Sequence, residues 1–147
     1  MHATPLIIAS DHAGFSLKQD VIAYLQDTDR PLEDLGATSK TSVDYPEYAA
    51  KACQRVREAH SFGVLICGTG LGMSMTANRF VGIRAALCAN EYMARMARQH
   101  NDANVLCLGS RLLGPDLATS ILEAFLAAEF EGGRHQRRVD LIESVVC

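Results

Sequence analysis

The sequence has no excess of basic residues. It contains 14 Lys and Arg against 17 Asp and Glu in 147 residues, which gives a formal net charge of −3. A broad nucleic-acid-binding surface needs a basic excess to displace counterions from phosphates. The composition therefore argues against a nucleic-acid partner and leaves room only for a local basic pocket.

Long apolar runs are also missing. No stretch reaches the roughly 18 consecutive apolar residues that a membrane span requires. The opening residues MHATPLIIAS contain only a short apolar run with no basic lead-in, unlike a secretory signal. We therefore expect a soluble, cytoplasmic protein with no membrane partner.

Closely spaced cysteine pairs are the third absence. The five cysteines, Cys53, Cys67, Cys88, Cys107 and Cys147, are an odd number without a CxxC motif. Neither a zinc site nor a disulfide framework is indicated. A thiol redox enzyme is disfavoured as well, because no resolving cysteine lies nearby.

What the sequence does contain is an alternation of short apolar runs and longer amphipathic segments. Strands are predicted at residues 6–9, 31–36, 62–66, 84–89 and 105–108, the second being the weakest. Helices are predicted at residues 17–26, 45–59, 72–80, 91–100 and 115–127. This alternation predicts one three-layer α/β/α domain of Rossmann-like type over residues 1–147, with a central five-stranded parallel sheet.

The last segment lies outside this alternation. After the EGG at residues 131–133, apolar residues recur at helical spacing at Val139, Ile142, Val145 and Val146. A terminal helix with an apolar stripe and nothing left to cover indicates docking on a neighbouring subunit. We therefore expect a C-terminal helix that extends to a partner in a dimer.

The predicted sheet indicates where a ligand would bind. Ligands of open parallel sheets lie beyond the carboxyl ends of the strands, where this sequence has SDH at residues 10–12, CGTG at 67–70 and GSR at 109–111. The GTGLG pattern has neither dinucleotide-binding spacing nor the Gly-Lys-Ser/Thr ending of a P-loop. It does offer free backbone N–H groups at a helix N-terminus, which favour an anion.

Residue types alone leave alternatives open for several of the candidate residues. Cys67 is either a buried residue that ends a strand or a base or nucleophile, since thiols beside helix N-termini ionise readily. Arg134 and Arg138 are four residues apart, so they share a helix face that either grips a phosphate or is simply solvated. Likewise, Thr69 could have no role beyond capping a helix. His12 could be a capping residue or a hydrogen-bonded histidine of a loop.

Six motifs in order resemble the type B ribose-5-phosphate isomerases of the ribose/galactose isomerase family. They are SDHAGF (residues 10–15), DYP (44–46), CGTGLGMSMTANR (67–79), GIRAAL (82–87), RQHNDANVLCLGSR (98–111) and EGGRHQRRV (131–139). Together they span nearly the whole chain. Several motifs in register are far more specific than a lone glycine pattern.

The resemblance implies a metal-free and cofactor-free aldose–ketose isomerase that interconverts ribose 5-phosphate and ribulose 5-phosphate through a cis-enediolate. By matching motif, Cys67 is the base that moves a proton between C2 and C1. Thr69 would assist proton exchange between O1 and O2, while His100, helped by Tyr45, would open the furanose ring.

The resemblance also implies a set of binding residues. These are Gly68, Gly70, Gly72 and Ser74 for the enediolate, His12, Arg111, Arg134 and Arg138 for the phosphate, Asp11 and Asn101 for sugar hydroxyls, and Asp44 as support. It further implies a homodimer or a dimer of dimers with shared active sites, in which a partner contributes the segments of His100 and Arg111.

Two alternatives remain beside the ribose isomerase. One is an isomerase of a six-carbon sugar phosphate, either allose or galactose 6-phosphate; the other is a non-catalytic phosphosugar-binding module. One branch of the family carries a glutamate base in the following loop, where this chain has Met73, so Cys67 is favoured as the base. Galactose-6-phosphate isomerases use two different subunits, whereas Cys67 and His100 occur together in this chain.

Overall fold

Five short apolar runs form one parallel sheet in the computed structural model, which describes residues 3–145. The strands are β1 (Leu6–Ser10), β2 (Leu32–Asp34), β3 (Gly63–Cys67), β4 (Ala85–Leu87) and β5 (Val105–Gly109). Their order in the sheet is β2-β1-β3-β5-β4, and every neighbouring pair is parallel. The carboxyl ends of all strands therefore share one edge, here called the carboxyl edge, and their starts share the opposite amino edge.

Four helices connect the five strands, and two more follow the last strand. They are α1 (Phe15–Gln26), α2 (Tyr45–Ala59), α3 (Leu71–Ala77), α4 (Glu91–Gln99), α5 (Pro115–Ala127) and α6 (Arg134–Ser144). Proline occupies the first turn of α2 and α5, where its missing N–H costs nothing. The Asn90 side chain caps α4 by accepting the N–H of Met93 at 2.9 Å.

The core lies on both faces of the three central strands, which are buried at every position. Residues such as Ile8, Val64 and Leu106 pack with α1, α4 and α5 on one face, with Phe125 fully buried among them. The alternate residues of the same strands pack with α2 and α3 on the other face. The predicted three-layer α/β/α domain with a five-stranded parallel sheet is confirmed.

Element ends differ from the sequence prediction at several places. The edge strands β2 and β4 are three residues each, shorter than predicted, whereas β3 and β5 each end one residue later than predicted, which pairs Cys67 with Gly109. Helix α3 ends at Ala77 rather than at residue 80. It stops there because the Asn78 side chain makes two hydrogen bonds with the backbone of Ala85, which tie this end to β4.

Helix α6 forms the predicted terminal helix. Val139 is buried, while Leu141, Ile142 and Val145 are at least half exposed. Val146 and Cys147 lie outside the described residues, and the extension of this helix to a partner stays a prediction. Within residues 3–145, no helix is both long and apolar enough to cross a membrane.

Candidate active site

Cys67 is the last residue of β3 and lies at the carboxyl edge, opposite Gly109 of β5. Its side chain is largely buried, with 4% of the residue exposed. The sulfur accepts the backbone N–H of Gly70 at 3.2 Å. A negative charge on this sulfur would therefore face a fixed donor.

The other described cysteines have surroundings that keep the thiol neutral. Burial raises the pKa of Cys53 to about 12 and that of Cys88 to about 11. Burial also raises the pKa of Cys107 well above its ordinary value. These three thiols are therefore unsuited to act as bases near neutral pH.

The glycines after Cys67 are required by close contacts. Gly70 has a φ of +77°, and a Cβ there would lie 2.5 Å from Cδ1 of Leu87. A Cβ at Gly72 would lie 2.5 Å from the ring of Tyr45, so this tyrosine covers the first turn of α3. Thr69 Oγ1 accepts the N–H of Leu71 at 3.3 Å, although the N-cap residue of α3 is Gly70, and its hydroxyl hydrogen stays free for another acceptor.

The loop after β1 orients two polar side chains at the same edge. Oδ1 of Asp11 accepts the N–H of Gly14 at 2.9 Å. Nδ1 of His12 accepts the N–H of Val43 at 3.1 Å. In the neutral ring the hydrogen of His12 must then be on Nε2, which leaves that nitrogen able to donate to a ligand oxygen.

Arg111 belongs to the same edge of the same chain as Cys67. Its backbone N–H donates to the carbonyl of Gly68 at 2.9 Å, and its guanidinium lies 3.0 Å from where a Cβ of Gly68 would be. Within one chain Arg111 therefore lies beside the turn that follows Cys67, and the expectation that a partner supplies the segments of His100 and Arg111 stays a prediction. The sheet order places Arg111 there, since β3 and β5 are parallel neighbours and the loops that follow them must meet.

His100, Asn101, Arg134 and Arg138 lie elsewhere. His100 ends α4, and the carbonyl of Asn101 accepts Nε of Arg84, the residue immediately before β4. Arg84 also pairs with Glu143 of α6 at 2.6 Å, which holds α6 at this amino edge. The predicted site residues are thus divided between the two edges of the sheet.

The length of a strand separates the site residues at the carboxyl edge from those at the amino edge. Cys67 lies level with Gly109 at the end of β5, whereas His100 precedes the start of β5 at Val105. A five-residue strand spans about 13 Å between its first and last residue. A small substrate bound at the carboxyl edge is therefore out of reach of His100 of the same chain.

Two side chains have a role in this geometry that the sequence did not assign to them. Ser110 Oγ donates to the carbonyl of Ala13 at 2.8 Å and so joins the loops after β5 and β1. The fully buried Lys18 donates to Asp34 and to the carbonyl of Ala37, both at 2.7 Å, and so fixes the start of the loop that leads to Asp44 and Tyr45. The sequence does carry a signal for this buried role, because Lys18 lies inside the apolar pattern of α1.

The amino edge holds a further group that sequence reasoning missed. Among the described residues, His100, Glu131 and His135 form a cluster in which one nitrogen or oxygen of each lies within 4.8 Å of the others. His135 lies inside the RHQRR motif, between Arg134 and Arg138. The prediction assigned phosphate binding to these two arginines and gave His135 no role.

Comparisons with known proteins agree with this architecture. Residues 6–142 match the family described as Ribose/Galactose Isomerase. The chain is 46% identical over 136 residues to ribose-5-phosphate isomerase B of Escherichia coli (strain K12), which covers 92% of this chain and 91% of that protein.

Solved structures extend the likeness to three dimensions. A ribose 5-phosphate isomerase from Thermotoga maritima superposes with a TM-score of 0.95 at 52% identity, covering 98% of this chain and 100% of that one. Ribose-5-phosphate isomerase B from Mycoplasma genitalium with bound ribulose-5-phosphate superposes with a TM-score of 0.92 at 42% identity, covering 97% and 96%.

Proposed function

Because this chain belongs to the ribose/galactose isomerase family, we propose that it catalyses the interconversion of ribose 5-phosphate and ribulose 5-phosphate. The observation that carries the proposal is the thiol of Cys67 at the carboxyl edge, with the Gly70 N–H directed at its sulfur. Abstraction of a proton beside a carbonyl needs a positioned base and fixed donors for the oxyanion that results.

The proton transfer starts from the open-chain aldose. The Cys67 thiolate takes the proton from C2, and the electron pair of that C–H bond forms the C1–C2 double bond of a cis-enediolate. Thr69 moves a proton between O1 and O2, and the thiol returns its proton to C1. Backbone N–H groups of the turn that contains Gly68, Gly70 and Gly72 stabilise the enediolate charge.

The phosphate is bound away from the reacting carbons. His12 donates through Nε2, and Arg111 lies against Gly68 at the same edge, so both can bind phosphate oxygens. Asp11 directly precedes His12 in the loop after β1, so its carboxylate can contact a hydroxyl of the bound sugar. Binding energy from the phosphate holds the sugar chain in line with the base.

A second copy of the chain completes each site. His100, Asn101, Arg134 and Arg138 lie at the amino edge, so they serve the site of the other subunit in a homodimer or a dimer of dimers. A two-fold axis makes two identical composite sites from two chains. The exposed Leu141 and Ile142 of α6, and Val145 directly after it, supply apolar surface for this contact.

The compartment follows from the thiol chemistry. A catalytic cysteine and further free thiols persist where the surroundings are reducing. The cytoplasm is therefore the proposed location of the enzyme.

A six-carbon substrate is the second candidate, because the family name covers both ribose and galactose isomerases. Side-by-side assays with ribose 5-phosphate, allose 6-phosphate and galactose 6-phosphate separate the possibilities. The proposal expects the highest kcat/KM with ribose 5-phosphate. Preference for a hexose phosphate would favour the second candidate, and binding of ribose 5-phosphate without ketose formation would indicate a binding module.

A further inference from the structure

The imidazoles of His100 and His135 are stacked on one another at the amino edge. Their ring centroids are 4.2 Å apart and their planes differ by 9°. The side chain of His135 is 9% exposed, whereas that of His100 is 38% exposed. His135 is therefore the buried ring, and His100 presents its other face outward.

The backbone holds this pair together. The N–H of Glu131 donates to the carbonyl of Gln99 at 3.0 Å, so the segment before α6 is fixed to the end of α4. The N–H of His135 donates to the carbonyl of Gly132 at 3.0 Å, which sets the first turn of α6. The stacking therefore depends on two anchored segments rather than on two mobile side chains.

In both rings, Nε2 is the nitrogen that lies nearest to the carboxylate of Glu131. Oε2 of Glu131 lies 3.5 Å from Nε2 of His135 and 4.0 Å from Nε2 of His100. Because the rings are parallel, their in-plane lone pairs run side by side and do not converge on one point. This geometry suits one proton near the carboxylate better than a metal ion, which needs convergent ligands.

The charges around the pair favour a neutral His135. Burial, followed by the charge of protonated His100, lowers the pKa of His135. Arg134 and Arg138 on α6 act in the same direction, and Glu131 opposes them. The ring stacked on His100 is therefore kept uncharged, and the carboxylate of Glu131 lies beside both rings.

We propose that His135 is a positioning residue for the opening of the sugar ring, which fixes the plane of the His100 imidazole by stacking. The inference rests on the proposed function. In the ring-opening step, His100 accepts the proton of the O1 hydroxyl, the C1–O4 bond breaks as C1=O1 forms, and the proton is returned to O4. A ring that is free to rotate would perform this transfer less often.

The test separates ring opening from proton abstraction. Ribulose 5-phosphate cannot close to a furanose, since the phosphate occupies its O5. Exchange of its C1 hydrogen with deuterated solvent, followed by NMR, therefore reports on the base alone. Conversion of ribose 5-phosphate requires ring opening in addition.

His135→Ala is expected to lower kcat for ribose 5-phosphate about tenfold, with the exchange rate of ribulose 5-phosphate changed less than about twofold. His135→Phe should restore most of the lost kcat, because it keeps a flat ring without either nitrogen. Gln136→Ala is the matched control, since this neighbouring side chain is exposed and bonds to Asp140 on its own helix. Thermal unfolding of each variant checks that α6 remains folded.

Three results would overturn the role of His135. They are unchanged turnover of ribose 5-phosphate in folded His135→Ala, an equal loss in both reactions, and a His135→Phe variant no better than His135→Ala. If the wild-type protein catalyses neither reaction, the proposed function itself fails.

Discussion

At the scale of single residues, the surroundings of the sulfur distinguish Cys67 from the other described cysteines. The four described cysteines are all buried. The sulfur of Cys67 accepts a backbone N–H, whereas burial raises the pKa of Cys53, Cys88 and Cys107. The position of Cys67 at a strand end before a glycine-rich turn was readable from the sequence, but the donor that faces it was not.

Replacement of Cys67 tests its role as the base. Cys67→Ala is expected to lower kcat by a factor of about 10² to 10⁴, because a positioned base contributes that much. KM for ribose 5-phosphate should change little, since His12 and Arg111 remain. Steady-state kinetics measure both values, with Cys53→Ala as a control that should keep nearly full activity. If Cys67→Ala kept most of its turnover, another group would be the base.

The buried thiols predict a loss of stability in alkali. The folded-state pKa values of Cys53 and Cys88 are raised from 9.0 to about 12 and about 11. The unfolded state loses these protons first, so stability is full below about pH 9 and falls between about pH 9 and 12. Each group contributes a slope of up to about 1.4 kcal/mol per pH unit.

Urea unfolding at pH 8 and pH 10.5 measures this effect. Cys53→Ala should lose less stability between the two pH values than the wild type, because one linked group is gone. The exposed Lys40→Met variant is the control and should lose as much as the wild type. An equal loss in Cys53→Ala would contradict the account of Cys53.

His12 and Arg111 show where residue-level prediction from the sequence stops. Both were placed in the site by motif. The hydrogen-bearing nitrogen of His12 depends on the N–H of Val43, which is 31 residues away in sequence. The edge on which Arg111 lies depends on which strands are neighbours. Such facts are set by tertiary contacts.

At the scale of elements, the turn from β3 into α3 is the most constrained part of the site. Gly70 has a positive φ, and its N–H is the donor to Cys67. Gly72 leaves room for the Tyr45 ring. The turn therefore brings together backbone conformation, close packing and the proposed chemistry.

Gly70→Ala should damage both stability and activity. Its Cβ would lie 2.5 Å from Leu87 Cδ1 and 3.0 Å from the backbone of Leu108, in a conformation unfavourable to alanine. We expect a loss of about 2–4 kcal/mol in the free energy of unfolding and a fall in kcat. Gly114→Ala is the matched control, because nothing lies within 4 Å of its Cβ position.

Urea unfolding and steady-state kinetics together measure the effect of Gly70→Ala. A variant as stable and active as Gly114→Ala would show that the turn tolerates a side chain and does not depend on this geometry.

The elements themselves were predictable to different degrees. Strands β1, β3 and β5 are apolar throughout because both faces are covered, and this pattern located them within a residue or two. The edge strands β2 and β4 were predicted too long, since an apolar run does not reveal how far a neighbour pairs with it. The end of α3 depends on hydrogen bonds from Asn78 to β4, which no local pattern records.

At the scale of the whole molecule, the proposed function divides the site residues of each chain into two half-sites. The half with Cys67 lies at the carboxyl edge and the half with His100 at the amino edge, about 13 Å apart along β5. The family resemblance predicted shared sites, but the order of motifs along the chain does not show which residues lie on which edge. The sheet order supplies that division and assigns Arg111 to the half with Cys67.

Activity of a hybrid dimer measures the central claim most directly, that Cys67 of one chain and His100 of another form one active site. Chains with Cys67→Ala and with His100→Ala are co-expressed with different tags, and the doubly tagged dimer is isolated. One of its two sites carries both substitutions and the other carries neither, so we predict about half of the wild-type turnover of ribose 5-phosphate. A hybrid dimer no more active than the two parent variants would contradict the claim.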